Sequence, residues 1–445
     1  MSETHDSTIL YYRARDEVKI NELPYFFGWV EIEDQKIVGE HYKPKQDPQN
    51  SDYSIGYYKI EGSEQDFQNN FDKDALVEIS QEDFNAILSK WTRGGEYTPL
   101  NWGQGWPTEI AQTDADEPTV TKKVFITRQV PQKGLDLILA DPSVDIELWP
   151  GEFPPSREQL LEKVRGIDGL YCLLTETIDD EVLEAAGPQL KVVSQMAVGY
   201  DNIDVEACTR RGIAVGNTPG VLTEATADLA MALLLGTARQ LVSAAEAVKA
   251  GKWQTWEPMG HTGPDVYGST VGLIGMGRIG LAMARRLQGF NVKLLYHNRT
   301  SSEEAEAVGA IYVDLDTLLA ESDFVSLHMP FTPETKHLIN AERLKQMKPT
   351  ATLINTARGG VVDQDALIEA LRDGTIAYAG LDVTTPEPLP ADSPLLQLPN
   401  ATVLPHIGSA SGPAREKMAT MAAENLLAGI NSKLLPTCVN PQVYK

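Results

Sequence analysis

The chain has 445 residues, with 63 Asp+Glu against 38 Lys+Arg and a formal charge of −25. Its length suggests two to four domains, and its 42% apolar and 23% charged residues are the balance of a soluble globular protein rather than a disordered one. So negative a chain lacks the basic footprint that nucleic acid or an anionic membrane surface requires. Its three cysteines, Cys172, Cys208 and Cys438, provide neither a disulfide framework nor metal-ligand spacing. With no apolar run of membrane-spanning length and a polar, acidic N-terminus, a cytoplasmic protein without a metal is expected.

Charge and aromatics are concentrated at the start. Residues 1–120 hold 24 acidic and 10 basic side chains, a net of −14, and 17 of the 32 aromatics; the other 325 residues hold 39 and 28, a net of −11. The polar stretch AQTDADEPTVTKK reads as a linker, so a separate module occupies 1–120. Its aromatic clusters can form a small core, and a small α+β unit is expected. The run WVEIEDQKIVGEHY alternates around a polar turn as a β-hairpin does, and SIGYYKI reads as a further strand. SQEDFNAILSKW opens with Ser80 followed by Asp83, a helix start close to a capping box. The Trp102–Trp106 segment, rich in glycine and tryptophan, is read as packing rather than binding. No chemistry is recognisable in this module.

From Lys123 the pattern becomes strand–helix alternation. KVFIT, IELWP, GLYCLL, KVVSQM and IAVGN recur about every 20 residues with helical segments between, which predicts βα units and a parallel sheet. A single long helix is expected from Thr223, with Thr223 as its cap. Its apolar face is too broad for a lone surface helix and should pack on a neighbouring domain or a partner subunit.

STVGLIGMGRIG then sets a short strand directly before Gly275-x-Gly277-x-x-Gly280, AMARRLQGF continues as a helix, and VKLLYHNR follows as the next strand. In this context the first glycine permits a tight turn, the second lets a pyrophosphate approach the backbone, and the third lets helix pack on strand. Free N–H groups at the helix start would meet the phosphates. An NAD-selective site carries Asp or Glu at the end of the second strand. Here that end reads Asn298-Arg299-Thr300, with no carboxylate and an arginine suited to a 2′-phosphate, which favours NADPH over NADH. A solvated loop charge is the competing reading of Arg299.

Three ionisable residues follow. Arg358 lies between the strand ATLINT and a helix, Glu387 lies in a proline-bounded loop, and His406 follows the strand ATVLP. Reduction of a 2-keto acid needs a cation to bind the carboxylate and an acid to protonate the developing alkoxide. A carboxylate beside a histidine favours its proton-donating form. Taken singly, each residue also has a structural reading: a helix-start charge, a solvated loop acid, a capping or core histidine.

Together VGLIGMGRIG, INTARGGVVD, AGLDVTTPEPLP and LPHIGSA, with MAVGYDNID and GNTPGVLTEATADLAMALLL upstream, make residues 123–435 resemble the D-isomer-specific 2-hydroxyacid dehydrogenases, most closely the glyoxylate/hydroxypyruvate reductases. The resemblance implies an α/β fold of two Rossmann-like domains, with the dinucleotide domain (220–406) inserted into the substrate domain (121–219 and 407–445). It implies Arg358 as the substrate-binding arginine, His406 as acid/base and Glu387 as its partner. Val198, Gly199 and Ser409 would contact substrate, joined by Trp256 from a partner subunit in a homodimer built on the helix from Thr223. Gly277, Arg278 and Ile279 would contact the pyrophosphate, Asn298–Thr300 the ribose, and Asp382 the nicotinamide, with Pro330, Thr356 and Gly408 also lining the cofactor. The alternatives are a phosphite or other D-2-hydroxyacid dehydrogenase, or a non-enzymatic dinucleotide sensor on the same scaffold. Residues 1–120 have no counterpart in the resemblance.

Overall fold

The computed structural model describes residues 121–445 and, ahead of them, the backbone of five strands: β1 (Thr8–Ala14), β2 (Phe27–Glu33), β3 (Lys36–Gln46), β4 (Tyr53–Ser63) and β5 (Leu76–Ile79). These form an antiparallel sheet in the order β4-β3-β2-β1-β5. The expected hairpin is the pair β2–β3, from Phe27↔Tyr42 to Glu33↔Lys36. SIGYYKI lies within β4. The expected helix over 80–91, the Trp102–Trp106 segment and the linker up to residue 120 lie outside the described residues.

Residues 121–138 and 144–445 form a second unit, built on two parallel sheets. The first holds β6 (Lys122–Ile126), β7 (Val144–Leu148), β8 (Gly169–Cys172), β9 (Val192–Gln195) and β10 (Ala214–Gly216) in the order β10-β9-β8-β6-β7. Helices α1 (Gln132–Leu139), α2 (Arg157–Lys163), α3 (Asp180–Ala186) and α4 (Val205–Arg210) connect its strands. β8, β9 and β10 are buried along their whole length, as a parallel sheet covered on both faces requires. Local chemistry sets the helix starts: Ser156 and Gln159 form a capping box on α2, and Asp179 and Asp204 cap α3 and α4.

Beyond this sheet come α5 (Thr223–Ala238) and α6 (Leu241–Lys249). Two expectations are corrected here. The single long helix is two, because Gln240 takes the left-handed conformation at φ 51° between them. Thr223 is also not the cap, for Leu222 holds that position and no side chain bonds there. α5 buries Ala227, Ala230, Leu233 and Leu234 against the chain's own second sheet and its helices. Its broad apolar face is therefore consumed within the chain. α6 buries no residue and exposes Leu241, Val242 and Val248.

The second sheet runs β13-β12-β11-β14-β15-β16-β17, with β11 (Thr270–Ile274), β12 (Lys293–His297), β13 (Ile311–Tyr312), β14 (Phe324–Leu327), β15 (Thr352–Asn355), β16 (Tyr378–Leu381) and β17 (Ala401–Val403), all parallel. Its helices are α7 (Arg278–Leu287), α8 (Glu303–Ala307), α9 (Leu315–Glu321), α10 (Ala341–Gln346) and α11 (Gln364–Asp373). The order reverses at β11, and crevices at the carboxyl ends of such a switch point take ligands in doubly wound sheets. The final helix, α12 (Gly412–Ile430), returns to the first sheet. It packs on β8, β9 and β10 and adds Met418, Ala422, Leu426 and Ile430 to a core with Val124, Ile126, Tyr171 and Val192. Its approach is close: a Cβ at Gly429 would lie 2.4 Å from Val192 Cβ. Among the described residues no helix is long and apolar enough to cross a membrane.

Candidate active site

The carboxyl end of β11 leads into the glycine loop. Gly275 has φ 92°, and a Cβ there would meet the His328 carbonyl carbon at 2.7 Å; one at Gly280 would meet the Gly275 oxygen at 2.2 Å. Gly277 has nothing within 4 Å of its Cβ position, so open space lies over the start of α7. Side chains cap α8 to α12, but none caps α7. Among the described residues no acceptor meets the N–H groups of Arg278, Ile279 and Gly280, which the loop thus offers toward that space. At the end of β15 the Thr356 hydroxyl is buried without a hydrogen-bond partner among the described residues. An uncapped helix start, an open cradle and an orphaned hydroxyl fit a dinucleotide. Pro330, past the end of β14, lies across the switch point.

At the end of β12 there is no carboxylate. The His297 ring is tied through Nδ1 to the Val313 carbonyl at 3.0 Å, and the Tyr312 hydroxyl donates to the Asn298 carbonyl at 3.2 Å. Arg299 and Thr300 are exposed. Glu334, on the loop after β14, is held below the ordinary carboxylate value by the Thr332 hydroxyl and, to a smaller extent, by the Arg299 charge.

Arg358, Glu387 and His406 follow β15, β16 and β17, so three adjacent strands deliver them to one edge. His406 Nδ1 lies 2.8 Å from Glu387 Oε2. With the carboxylate ionised, Nδ1 carries the hydrogen and Nε2 is the atom left to exchange a proton with a ligand. Glu387 Oε1 accepts from the Thr384 N–H at 2.9 Å. Burial pushes the Glu387 carboxyl up, but the His406 bond and charge, the Thr384 N–H and the Arg358 charge outweigh it and hold it below the ordinary value. The ARGG motif has a steric basis: a Cβ at Gly359 would lie 1.9 Å from the Thr384 oxygen, so only glycine lets the Arg358 turn meet the Glu387 loop.

His406 has φ 54°, an uncommon conformation for a side-chain-bearing residue. Asp382, 1% exposed, holds it there: its carbonyl accepts from the His406 N–H at 2.9 Å, and its carboxylate oxygens accept from the Ile407 and Gly408 N–H groups at 2.7 Å each. Asp382 thus sits behind the histidine loop, which also carries Ser409. Burial raises the Asp382 carboxyl against the pull of these bonds. The nearby Arg415, in the first turn of α12, has a buried Nε without a partner among the described residues, and burial lowers its guanidinium against the opposing charge of Asp382.

The first sheet contributes the loop after β9. Val198 and Gly199 lie on it, and no described residue accepts from either N–H. Arg358 reaches this loop: its Nε donates to Asp201 Oδ1 at 2.9 Å and its Nη1 to the Ala357 carbonyl at 2.9 Å, while Nη2 occupies the space where a Gly199 Cβ would be. Trp256 stands apart from this cluster. It is 79% exposed and lines a groove with Trp253, Tyr378 and Leu396. Sequence reasoning missed Asp201 and Arg415. Asp201 stands in the MAVGYDNID motif, but nothing along the chain pairs it with an arginine 157 positions away.

Residues 231–408 match the family model described as D-isomer specific 2-hydroxyacid dehydrogenase, NAD binding domain. The chain is 52% identical over 325 residues to a glyoxylate reductase of Korarchaeum cryptofilum, covering 73% of this chain and 97% of that one. Among solved structures it is similar to the TT0316 protein of Thermus thermophilus, with TM-score 0.67, 48% identity, and coverage of 71% of this chain and 99% of the other. It is also similar to an NADPH-dependent glyoxylate/hydroxypyruvate reductase of Sinorhizobium meliloti in complex with NADP and malonate, with TM-score 0.64, 34% identity, and coverage of 72% and 97%. Strand order, glycine loop and these similarities agree, and the chain belongs to the D-isomer-specific 2-hydroxyacid dehydrogenase family.

Proposed function

We propose that the protein reduces glyoxylate to glycolate and hydroxypyruvate to D-glycerate, preferring NADPH over NADH. The observation that carries this reading is the Glu387–His406 pair, with the imidazole turned so that Nε2 is free, on the edge it shares with Arg358. Arg358, with the Val198 and Gly199 N–H groups, binds the 2-keto acid carboxylate and draws electron density toward the ketone oxygen. His406 Nε2 donates a proton to that oxygen as alkoxide character develops, and Glu387, accepting from the Nδ1–H, holds the ring so that Nε2 is the atom that exchanges the proton. The cofactor, when bound, supplies the hydride. Gly277, Arg278 and Ile279 hold its pyrophosphate and Thr356 meets it at the end of β15. The absence of a carboxylate after β12, together with the exposed Arg299, supports the preference for a 2′-phosphate. The relatives named glyoxylate reductase support the choice of a short keto acid.

On this reading 121–219 with 407–445 form the substrate domain and 220–406 the dinucleotide domain. The protein acts as a homodimer through the exposed apolar face of α6 and the segment carrying Trp253 and Trp256, with Trp256 reaching the partner's substrate pocket. The test follows NADPH absorbance with glyoxylate or hydroxypyruvate and the full-length chain. Turnover is expected with both, and His406→Ala should lower kcat by about 10²–10⁴-fold while cofactor binding survives. No turnover with either acceptor on folded protein would refute the reading.

A further inference from the structure

Arg358 arrives from the second sheet and Asp201 from the first, and their side chains, 21% and 33% exposed, meet at 2.9 Å. The loop that carries Asp201 is rigidly based. Gln195, fully buried at the end of β9, donates to the Gly199 carbonyl at 2.6 Å and exchanges a reciprocal amide pair with Asn202 at 2.8 and 2.9 Å. Asn202 also donates to the Leu173 and Glu176 carbonyls at 3.1 and 2.8 Å. Asp201 is therefore pinned from both sides.

The donors of Arg358 can be accounted for. A guanidinium has five N–H groups in a fixed fork. Among the described residues one, on Nε, goes to Asp201 and one, on Nη1, to Ala357; three remain on the Nη edge, beside the N–H groups of Val198 and Gly199, which find no acceptor there. Those five donors make a recess suited to one carboxylate. We propose that Asp201 is a positioning residue: by engaging the Nε edge of Arg358 it fixes the guanidinium plane so that the Nη edge receives the substrate carboxylate. This rests on the reading of Arg358 as the substrate-binding cation.

Charge and geometry make opposite demands here, which allows a sharp test. If Asp201 acted only through its charge, removing it would make the site more positive and lower KM for an anionic substrate. If it positions Arg358, removal releases a long flexible side chain and raises KM. For Asp201→Ala the expected result is a rise in KM for glyoxylate of about tenfold, the scale of a lost charge-assisted hydrogen bond, with kcat within about threefold. Inhibition by oxalate should weaken in parallel, and KM for NADPH should not change. Asp201→Asn keeps an Oδ1 acceptor for the Nε–H and should restore KM to within about threefold of the parent. Asp201→Ser, too short to reach the guanidinium, should match Asp201→Ala and stands in for it if that protein does not fold. Arg358→Ala, run in parallel, separates the two levels. An unchanged KM in Arg358→Ala would refute the reading of Arg358 itself. A raised KM there, with an unchanged or lowered KM in Asp201→Ala or Asp201→Ser, would overturn the role of Asp201 alone, and so would an Asp201→Asn enzyme as impaired as the alanine variant.

Discussion

Replacing Gly199 by alanine puts a methyl group where the Arg358 guanidinium now lies. The added Cβ would fall 1.8 Å from Nη2 and 2.7 Å from Cζ, and ordinary contact begins at 3.4 Å, so Nη2 must withdraw by about 1.6 Å. The obstructing atoms are the free end of a long side chain, not backbone. The fold can therefore accommodate the change, and Tm should stay within about 2–4 °C of the parent. The consequence falls on the site. Withdrawal breaks the 2.9 Å bond to Asp201, a hydrogen bond between charged groups contributing about 1.5–3 kcal/mol, which is about tenfold to 100-fold in rate or binding. A displacement beyond 1 Å of a group that orients substrate independently predicts about 10²-fold. The two estimates agree on a fall in kcat/KM for glyoxylate of about 10- to 100-fold, carried mainly by KM. The assay is steady-state NADPH oxidation against glyoxylate, with a thermal melt and an NADPH titration on the same preparation. A Gly199→Ala enzyme with kcat/KM within about threefold of the parent would refute the reasoning. It would mean that the guanidinium does not need the space glycine leaves.

Two further predictions concern charge. Glu387 is depressed below its ordinary value in the folded protein, so its pairing stabilises the fold fully above the unfolded value near pH 4.3 and is lost as pH falls through the lower folded value. Glu387→Gln should therefore cost about 1 kcal/mol at pH 6 and nothing once the pH is below both values; a parallel offset between the two melting curves from pH 6 down to pH 2 would contradict this. Arg299→Ala should raise KM for NADPH about tenfold through loss of a phosphate contact and leave KM for NADH unchanged, whereas an equal effect on both would remove Arg299 from cofactor selection.

The parallel sheets were legible because βα spacing and the glycine loop are local signals, and strands such as ATLINT and ATVLP emerged within a residue or two of expectation. IELWP was displaced, since β7 begins at Val144 and ends at Leu148, before the proline. The break at Gln240 was hidden because neither proline nor glycine marks it; a polar residue at positive φ leaves no compositional trace. Arg358, Glu387 and His406 were legible as residues, but their meeting depends on β15, β16 and β17 lying side by side. Asp201 and Arg415 were illegible for the same reason, carried further: their partners lie across the fold, and an isolated Asp or Arg in a helix or loop is ordinary. Asp382 was expected at the cofactor, and the structure adds a task no motif announces, that of holding His406 at φ 54°.

The return of α12 to the first sheet has a consequence for the order in which the protein is made. β6 to β10 leave the ribosome long before residues 412–430, yet Met418, Ala422, Leu426 and Ile430 complete the core that Val124, Ile126 and Val192 begin. Until α12 is made, that core has Leu135 and Ile138 of α1 but lacks the residues that α12 adds. The later seven-stranded sheet, whose buried clusters draw on residues from Ala227 to Leu395, can close first. Of the two parallel sheets, the one begun earlier is thus sealed later. A stop codon ahead of residue 412 would leave the first sheet without the cover of α12, a substrate for chaperones and proteases rather than an active enzyme.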